Sequence, residues 1–352
     1  MHDENRRRRP LGTVPFSYPV YGLHLSVNLP SPRLREFAPS SPADVQVTLG
    51  SRPPFDDSVK TEEVSVYRSE EVTPDGVPRV ELSKSLTTSY FRLQYAEGAE
   101  FFVDKRGTQV WGSWLETLAV EDAWVYLLGP IMGFVLRLRG FTSLHASAIS
   151  VQNRAVLFVG PPGAGKSTTA AAFAGFGYPI LSDDIVPIFE SDSSFWVQSG
   201  YPCLCLWPKS VRSLFGSADA LPSLTPTWDK RYLALGNSRY QFQREPLPLG
   251  GVYFFGTRED DSARPFVQAI PTGPALMGLM ANTYMNYLPD AEVEARDFKL
   301  FGRLLRRVPV RRVQPHADAA HLARLCEVVI EDLRNLESTG AVGDFAPQNQ
   351  TF

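Results

Sequence analysis

The apolar positions of this chain change period twice, from alternation to a helical spacing and then to a mixture of the two. Residues 16–28 alternate weakly, and Pro30, Pro32, Pro39 and Pro42 then force a loop. Alternation returns at 45–49, 64–67, 77–82, 90–95 and 100–103, with turns at Pro74-Asp75-Gly76 and Asp104-Lys105-Arg106-Gly107. The spacing predicts a small antiparallel β-rich (α+β) N-terminal domain over 16–113. Between 114 and 139 the period is that of helices, interrupted at Gly129-Pro130, which predicts a helical connector over 114–140. Arg137 and Arg139 lie two apart and so on different faces, and capping of a helix end is their expected use.

From 141 to 336 the pattern is that of an α/β domain. Residues 155–159 are continuously apolar, as in a strand buried on both faces. Leu144-His145-Ala146-Ser147-Ala148 opens a strand that pairs with it across Gln152-Asn153-Arg154. An alanine-rich helix is expected over 168–175, stopped by Gly175-Phe176-Gly177, and then a strand over 178–181 ending in Ser182-Asp183-Asp184. Beyond it come paired strands over 195–206, a proline-rich loop over 221–228 that delivers Lys230 and Arg231, and a buried strand over 249–255. Helices over 274–287 and 317–333 close the domain, and no internal repeat is evident. His316 and His321, five apart, do not share a helical face and read as structural.

Composition narrows the class. With 352 residues, 43% hydrophobic and 21% charged at a net charge of −3, the chain suits a soluble two-domain protein with ample core. So small a charge gives no general electrostatic case for a nucleic-acid or membrane partner. Cys203, Cys205 and Cys326 form neither a disulfide framework nor a zinc spacing, so a reducing cytoplasm is expected. No stretch reaches the roughly 18 uninterrupted apolar residues that span a bilayer. Arg6 to Arg9 have no apolar run behind them, so 1–15 reads as a disordered basic tail and 337–352 as a polar one.

The candidate chemistry begins at Gly160-Pro161-Pro162-Gly163-Ala164-Gly165-Lys166-Ser167, which fits G-x-x-x-x-G-K-[ST] between a strand and a helix. Gly163 and Gly165 allow the backbone to curl so that its N–H groups converge on polyphosphate oxygens. Lys166 brings a cation to the β- and γ-phosphates, Ser167 offers a hydroxyl to Mg²⁺, and the helix beginning near Thr168 points its positive end at the anion. Asp183 and Asp184, at a strand end beside this loop, suit a metal ligand or a proton acceptor. Alternation along a strand would send them to opposite faces, dividing those labours. His145 is either a hydrogen-bonded core residue or a participant, and the residues alone leave both readings open. Lys230, Arg231 and Arg244 are candidates for gripping phosphate or an acidic substrate group, against the alternative of solvated charges.

Taken together, His145, the loop and the Asp183-Asp184 pair resemble the catalytic core of HPr kinase/phosphorylase. The histidine lies 21 positions ahead of Lys166 and the first aspartate 17 behind it, as in that family. Tyr21-Gly22-Leu23, Leu127-Leu128-Gly129-Pro130, Leu136-Arg137-Leu138-Arg139-Gly140, Leu144 to Ala148 and Leu206-Trp207-Pro208 resemble the HPr-kinase-like serine kinases of bacterial peptide-modification clusters, including lasso-peptide clusters. The resemblance implies a P-loop kinase core using ATP and Mg²⁺, with Asp183 as proton acceptor, His145 assisting it, Lys166 on the transferring phosphoryl group and Ser167 on the metal. A metal-binding glutamate of the family is replaced here by the neighbourhood Val197-Gln198-Ser199-Gly200-Tyr201, which gives Asp184 the metal role. The family's N-terminal domain differs from residues 16–110, so HPr does not carry over as the acceptor. A serine of a peptide or small protein, such as a lasso-type precursor, is expected instead. HPr kinases are hexamers, which leaves a homo-oligomer open. The rivals are a nucleotide hydrolase, which would need a group orienting water, and a nucleotide-sensing module without phosphoacceptor, which would need no base.

Overall fold

The computed structural model describes residues 15–37, 42–54, 62–257 and 264–338. Residues 1–14 of the expected basic tail and 339–352 of the expected polar tail lie outside these. The chain divides into two compact units, Met1–Leu118 and Ala119–Phe352.

The first unit is one eight-stranded sheet built from β1 (Phe16–Val20), β2 (Leu23–Val27), β3 (Val45–Leu49), β4 (Glu63–Arg68), β5 (Val80–Ser85), β6 (Tyr90–Tyr95), β7 (Ala99–Asp104) and β8 (Gln109–Trp114). Residues 16–28, read above as one alternating stretch, are a hairpin. Tyr21 (φ 54°) and Gly22 (φ 76°) make the left-handed turn that matches strand twist. The order is β1-β2-β3-β8-β7-β6-β5-β4. The expected antiparallel pattern needs correction, because β3 runs parallel to both β2 and β8. The chain leaves β3 for the far edge and returns strand by strand, so β8 arrives beside β3 in the same direction. The described residues of this unit contain no helix, so it is an all-β sheet and not α+β.

The second unit opens with α1 (Val120–Tyr126) and α2 (Met132–Leu138), joined by a π-helical segment at Leu127–Ile131. Gly129 leaves helical geometry there (φ −93°, ψ −108°) ahead of Pro130, so the expected interruption is a kink. Both helices belong to this unit. Then follow β9 (Thr142–Val151), β10 (Arg154–Val159), α3 (Lys166–Gly175), β11 (Ile180–Ser191), β12 (Ser194–Val197), β13 (Cys203–Leu206), α4 (Pro208–Phe215), β14 (Arg231–Ala234), β15 (Leu247–Phe255), β16 (Phe266–Ala269), α5 (Thr272–Ala281), α6 (Ala291–Leu304), β17 (Val310–Gln314) and α7 (Leu322–Ser338). Helix α7 therefore includes Glu337 and Ser338, which the sequence had given to the tail.

Its seven-stranded sheet runs β10-β9-β11-β12-β15-β17-β16, and β10 also pairs in parallel with β15. Five strands thus close on themselves: β12 ends against the start of β15 through Trp196 opposite Pro248, while β15 runs on beside β10. The paired strands expected over 195–206 do not pair with each other, since β12 joins this sheet and β13 pairs with β14. Side chains of β10 alternate between two apolar clusters. Val156 and Phe158 pack towards α3 and α7, whereas Ala155, Leu157 and Val159 pack towards α5 and α6. This is why the strand reads as continuously apolar. Among the described residues no helix is long and apolar enough to cross a membrane.

Phe158 is the joint between this sheet and the helix that carries Lys166 and Ser167. It is fully buried and stacks on Phe173 of α3 with centroids 5.5 Å apart, with Tyr253 and Phe255 beside it. Phe158→Ala is expected to cost about 3–5 kcal/mol of folding stability, because the cavity has walls on two elements that cannot both collapse. A urea midpoint lowered at unchanged m-value is the readout. A loss below about 1 kcal/mol would mean that α3 is held some other way.

Candidate active site

The loop Gly160 to Gly165 leaves the buried end of β10 and enters α3. Pro161, Pro162 and Gly163 are exposed at its rim, Ala164 and Gly165 are half-buried, and Lys166 is buried. Gly163 (φ 79°) and Gly165 (φ 108°) hold left-handed backbone, and Gly165 is the residue that caps α3. A side chain at either position would strain the turn that gathers the loop's N–H groups. Lys166 Nζ donates to the carbonyls of Gly160 (2.8 Å) and Pro161 (3.1 Å), which anchors its cation over the loop. Burial lowers its pKa, and Asp184 and Asp183 draw it back up. Thr168 is tied through its hydroxyl to Ser210 of α4 at 2.8 Å.

The carboxylates depart from the expected arrangement. Strand β11 does not end at Asp183-Asp184 but continues to Ser191, and Asp184 sits in left-handed backbone (φ 68°) within it. That residue breaks the alternation that would have sent the two side chains to opposite faces. Ser147 Oγ donates to Asp183 Oδ1 at 2.5 Å, and Ser167 Oγ donates to the same atom at 2.9 Å. His145 Nε2 lies 3.2 Å from Asp184 Oδ1. His145 and Ser147 are two apart on β9 and share a face, so both carboxylates are turned to that face. The register places Asp183 opposite Ser147 but Asp184 opposite Ala146, so it is the left-handed backbone of Asp184 that brings its carboxylate round to His145. The Ser182 hydroxyl donates to the Ile185 carbonyl at 2.6 Å and braces the irregular stretch.

His145 is thus no core residue. Its side chain is 32% exposed, its backbone N–H donates to the Asn282 carbonyl at 2.8 Å, and its ring meets Tyr284 edge-on with centroids 6.2 Å apart. The two aspartates are driven apart electrostatically. Burial, with the neighbouring Asp184 charge, raises the pKa of Asp183 against the lowering effect of its two serine bonds. For Asp184 burial acts in the same direction, but the His145 hydrogen bond and charge, helped by Lys230 and Lys166, outweigh it and hold the carboxyl below its ordinary value.

The basic candidates separate. Lys230 acts electrostatically on Lys166, Asp183 and Asp184, and its ammonium lies 5.2 Å from the ring centre of the exposed Trp207. Arg231 does not sit on the loop as expected but opens β14, where it is paired with Asp219 (3.0 Å) and Asp229 (3.5 Å). Arg244 is exposed, and its carbonyl accepts a hydrogen bond from the Ser199 hydroxyl. The segment Val197-Gln198-Ser199-Gly200-Tyr201 lies alongside β11, with Gln198 and Gly200 donating to the carbonyls of Pro187 and Leu181. Sequence reasoning missed Ser147 as a site residue. Its signal was its spacing of two from His145 on a strand.

These residues fit a nucleoside triphosphate and Mg²⁺. The loop supplies two left-handed glycines and a lysine whose ammonium is held over it, the parts a polyphosphate cradle uses. The metal side offers only hard oxygen donors, namely the Ser167 hydroxyl and two carboxylates. Among the described residues no cluster of three or more His, Cys, Asp or Glu could form an all-protein cage. Mg²⁺ suits such a sparse set, since it is usually held by one or two carboxylates together with substrate phosphates and water.

No known protein family's sequence pattern matches the chain, and no curated protein does. Among solved structures, it is similar to the Hpr(Ser) kinase/phosphatase from Coxiella burnetii at 12% identity, covering 56% of this chain and 94% of that one with a TM-score of 0.31.

The raised pKa of Asp183 makes a stability prediction. A carboxyl whose folded pKa lies above its unfolded value favours folding while protonated, and that contribution is lost as pH rises through the folded pKa. Above the ordinary aspartate range the group therefore makes the metal-free fold less stable than it is in acid. Asp183→Asn keeps an acceptor for Ser147 and Ser167 without the charge, so its melting temperature at neutral pH should exceed that of the wild type. The gap should close below the ordinary aspartate range, at about pH 4. A lower melting temperature for the variant at neutral pH would contradict this account of the site.

Proposed function

We propose that this protein is an ATP- and Mg²⁺-dependent kinase that transfers the γ-phosphoryl group to a hydroxyl, namely a serine of a peptide or small protein. The single observation that carries the reading is the Ser167–Asp183 hydrogen bond, which puts a carboxylate pair and His145 directly against a complete phosphate loop. A phosphate loop alone is compatible with hydrolysis or sensing. One with two carboxylates of opposed proton affinity on the same face is suited to accepting a proton from an attacking alcohol.

The labour divides by electrostatics. Asp183, with the raised pKa, has the proton affinity required of a base and takes the acceptor's proton as the oxygen attacks phosphorus and the bond to the leaving ADP oxygen breaks. Asp184, held ionised, is the better anion for a cation, and with the Ser167 hydroxyl it would hold Mg²⁺. When bound, that ion neutralises charge on the phosphate oxygens. His145 fixes Asp184 and supports its charge. Lys166 exchanges its loop carbonyls for phosphate oxygens, and Lys230 adds a second cation on the acceptor side. Peptide or small-protein acceptors are favoured because the exposed Trp207 beside Lys230 extends the site as an open surface. Arg244, exposed nearby in sequence to β15, is retained as a weaker candidate for substrate contact.

Two outcomes test the reading. Lys166→Ala should lower phosphoryl transfer on the order of a thousandfold, the usual loss of one charge-assisted transition-state contact, while the circular dichroism spectrum stays native. Full turnover in that variant would end the assignment, and ATP consumption unaffected by any acceptor would favour a hydrolase. Titrating Mg²⁺ at saturating ATP separates the carboxylates. Asp184→Asn should need more Mg²⁺ for half-maximal rate and recover partly in excess metal, whereas Asp183→Asn should stay slow at every concentration. The opposite result would give Asp183, through its bond to Ser167, the metal role.

A further inference from the structure

The carboxylates claim one side of the loop. On the other, a cleft of about 330 Å³ opens against the first turn of α3. Thr168, Lys209, Phe255, Leu325, His316 and His321 contribute to its walls, and the lining leaves out Lys166, Ser167, Asp183 and Asp184. The histidines were set aside in the sequence because five positions do not share a helical face. The chain between them is not one helix. A short 3₁₀ turn at Ala319–His321, capped by the Asp318 carboxylate, folds His321 back until the two rings lie with centroids 4.0 Å apart.

Orientation follows from the loop's chemistry. Its lysine serves the β- and γ-phosphates and its N–H groups the α- and β-phosphates, so the remainder of a nucleotide must leave on the α-phosphate side. Lys166 and the aspartates mark the γ end. Gly165 and Thr168, which border the cleft, mark the other. The cleft has the volume of a small-ligand pocket. Its lining includes the buried Leu325, and the two adjacent imidazoles are planar rings of the kind that stack on a base. His316 Nδ1 accepts the Asp318 backbone N–H at 2.9 Å, which assigns the proton of the neutral ring to Nε2 and gives the wall a donor as well as a face.

We infer that this cleft is the nucleoside subsite, receiving the purine of a nucleoside triphosphate against the His316–His321 pair. The inference rests on Gly160 to Ser167 being a polyphosphate loop, and goes beyond it by naming the residues that recognise the base. Calorimetry on the full chain with Mg²⁺, using ATP and inorganic tripolyphosphate as the two ligands, reads loop and subsite separately. The wild type should bind ATP at least about tenfold more tightly than tripolyphosphate, in line with the stacking of one base. The double variant His316→Ala/His321→Ala should bind the two ligands within about twofold of each other, with tripolyphosphate affinity unchanged as proof of an intact loop. His316→Gln, which keeps polarity but loses the ring, should move in the same direction. A wild type that does not prefer ATP, or a double variant that keeps the preference, overturns the subsite while leaving the kinase reading in place. Loss of tripolyphosphate binding in the double variant also counts against it, because the damage then reaches the loop. A wild type that binds neither ligand removes the phosphate-loop reading and the subsite with it.

Discussion

The candidate site depends on the register of β9 against β11. Ser147 stands opposite Asp183, and His145 opposite Ile185, only because the two strands pair with a single irregularity between Ile180 and Ser182. A slip of one residue would turn every side chain of β9 to the other face, sending His145 and Ser147 into the apolar cluster under α5 and α6. Two features pin the register. The β9–β10 hairpin turns on Gln152 (φ 49°) and Asn153 (φ 59°), the left-handed pair that fixes a two-residue connection, and β10 is itself locked in parallel to β15. The geometry of the candidate site is thus inherited from strand pairing that is buried on both sides.

Against that rigid frame the left-handed backbone of Asp184 stands out. A non-glycine residue there costs on the order of 1–3 kcal/mol, and aspartate is among the few residues that tolerate it. What the strain achieves is chemical. Regular alternation would leave one carboxylate in the site and point the other into a core, where its charge would be unpaired. With the alternation broken, both face the same cluster of hydroxyls, imidazole and lysines. Two like charges so close would ordinarily raise both pKa values. Here the partners are distributed unequally, serine hydroxyls to one and His145 to the other, and so the pair splits into a carboxyl with high proton affinity and one held ionised.

Much of this was legible in the sequence where the determinants are local. The loop Gly160 to Gly165, the β9–β10 hairpin and the start of α3 each depend on a few consecutive residues, and each lies where the pattern put it. The Asp183-Asp184 pair was located, but its shared face was not, because a single φ decided it and alternation is the default. The parallel insertion of β3 between β2 and β8, and the return of β12 to β15, are set by partners far along the chain that periodicity does not see. Lys230 and Arg231 looked equivalent as neighbours. Strand β14 separates them by giving Arg231 to Asp219 and leaving Lys230 facing Trp207. The juxtaposition of His316 and His321 was hidden for a related reason, since a helical face was assumed where a capped 3₁₀ turn brings their rings together.

The two sides of the loop also explain how few charged residues the site needs. A polyphosphate bound in the loop is met by N–H groups along its length and by the positive end of α3, so most of its charge is balanced by backbone. Side-chain charge is then required only where charge moves, and Lys166, Lys230 and the aspartates are all found at that end. At the opposite end the walls combine imidazole, phenylalanine and leucine with serine and threonine hydroxyls and Asp318, and Lys209 is the one lysine or arginine among the described lining residues. If the loop holds a polyphosphate as proposed, that division keeps its electrostatics local in a chain whose net charge is only −3.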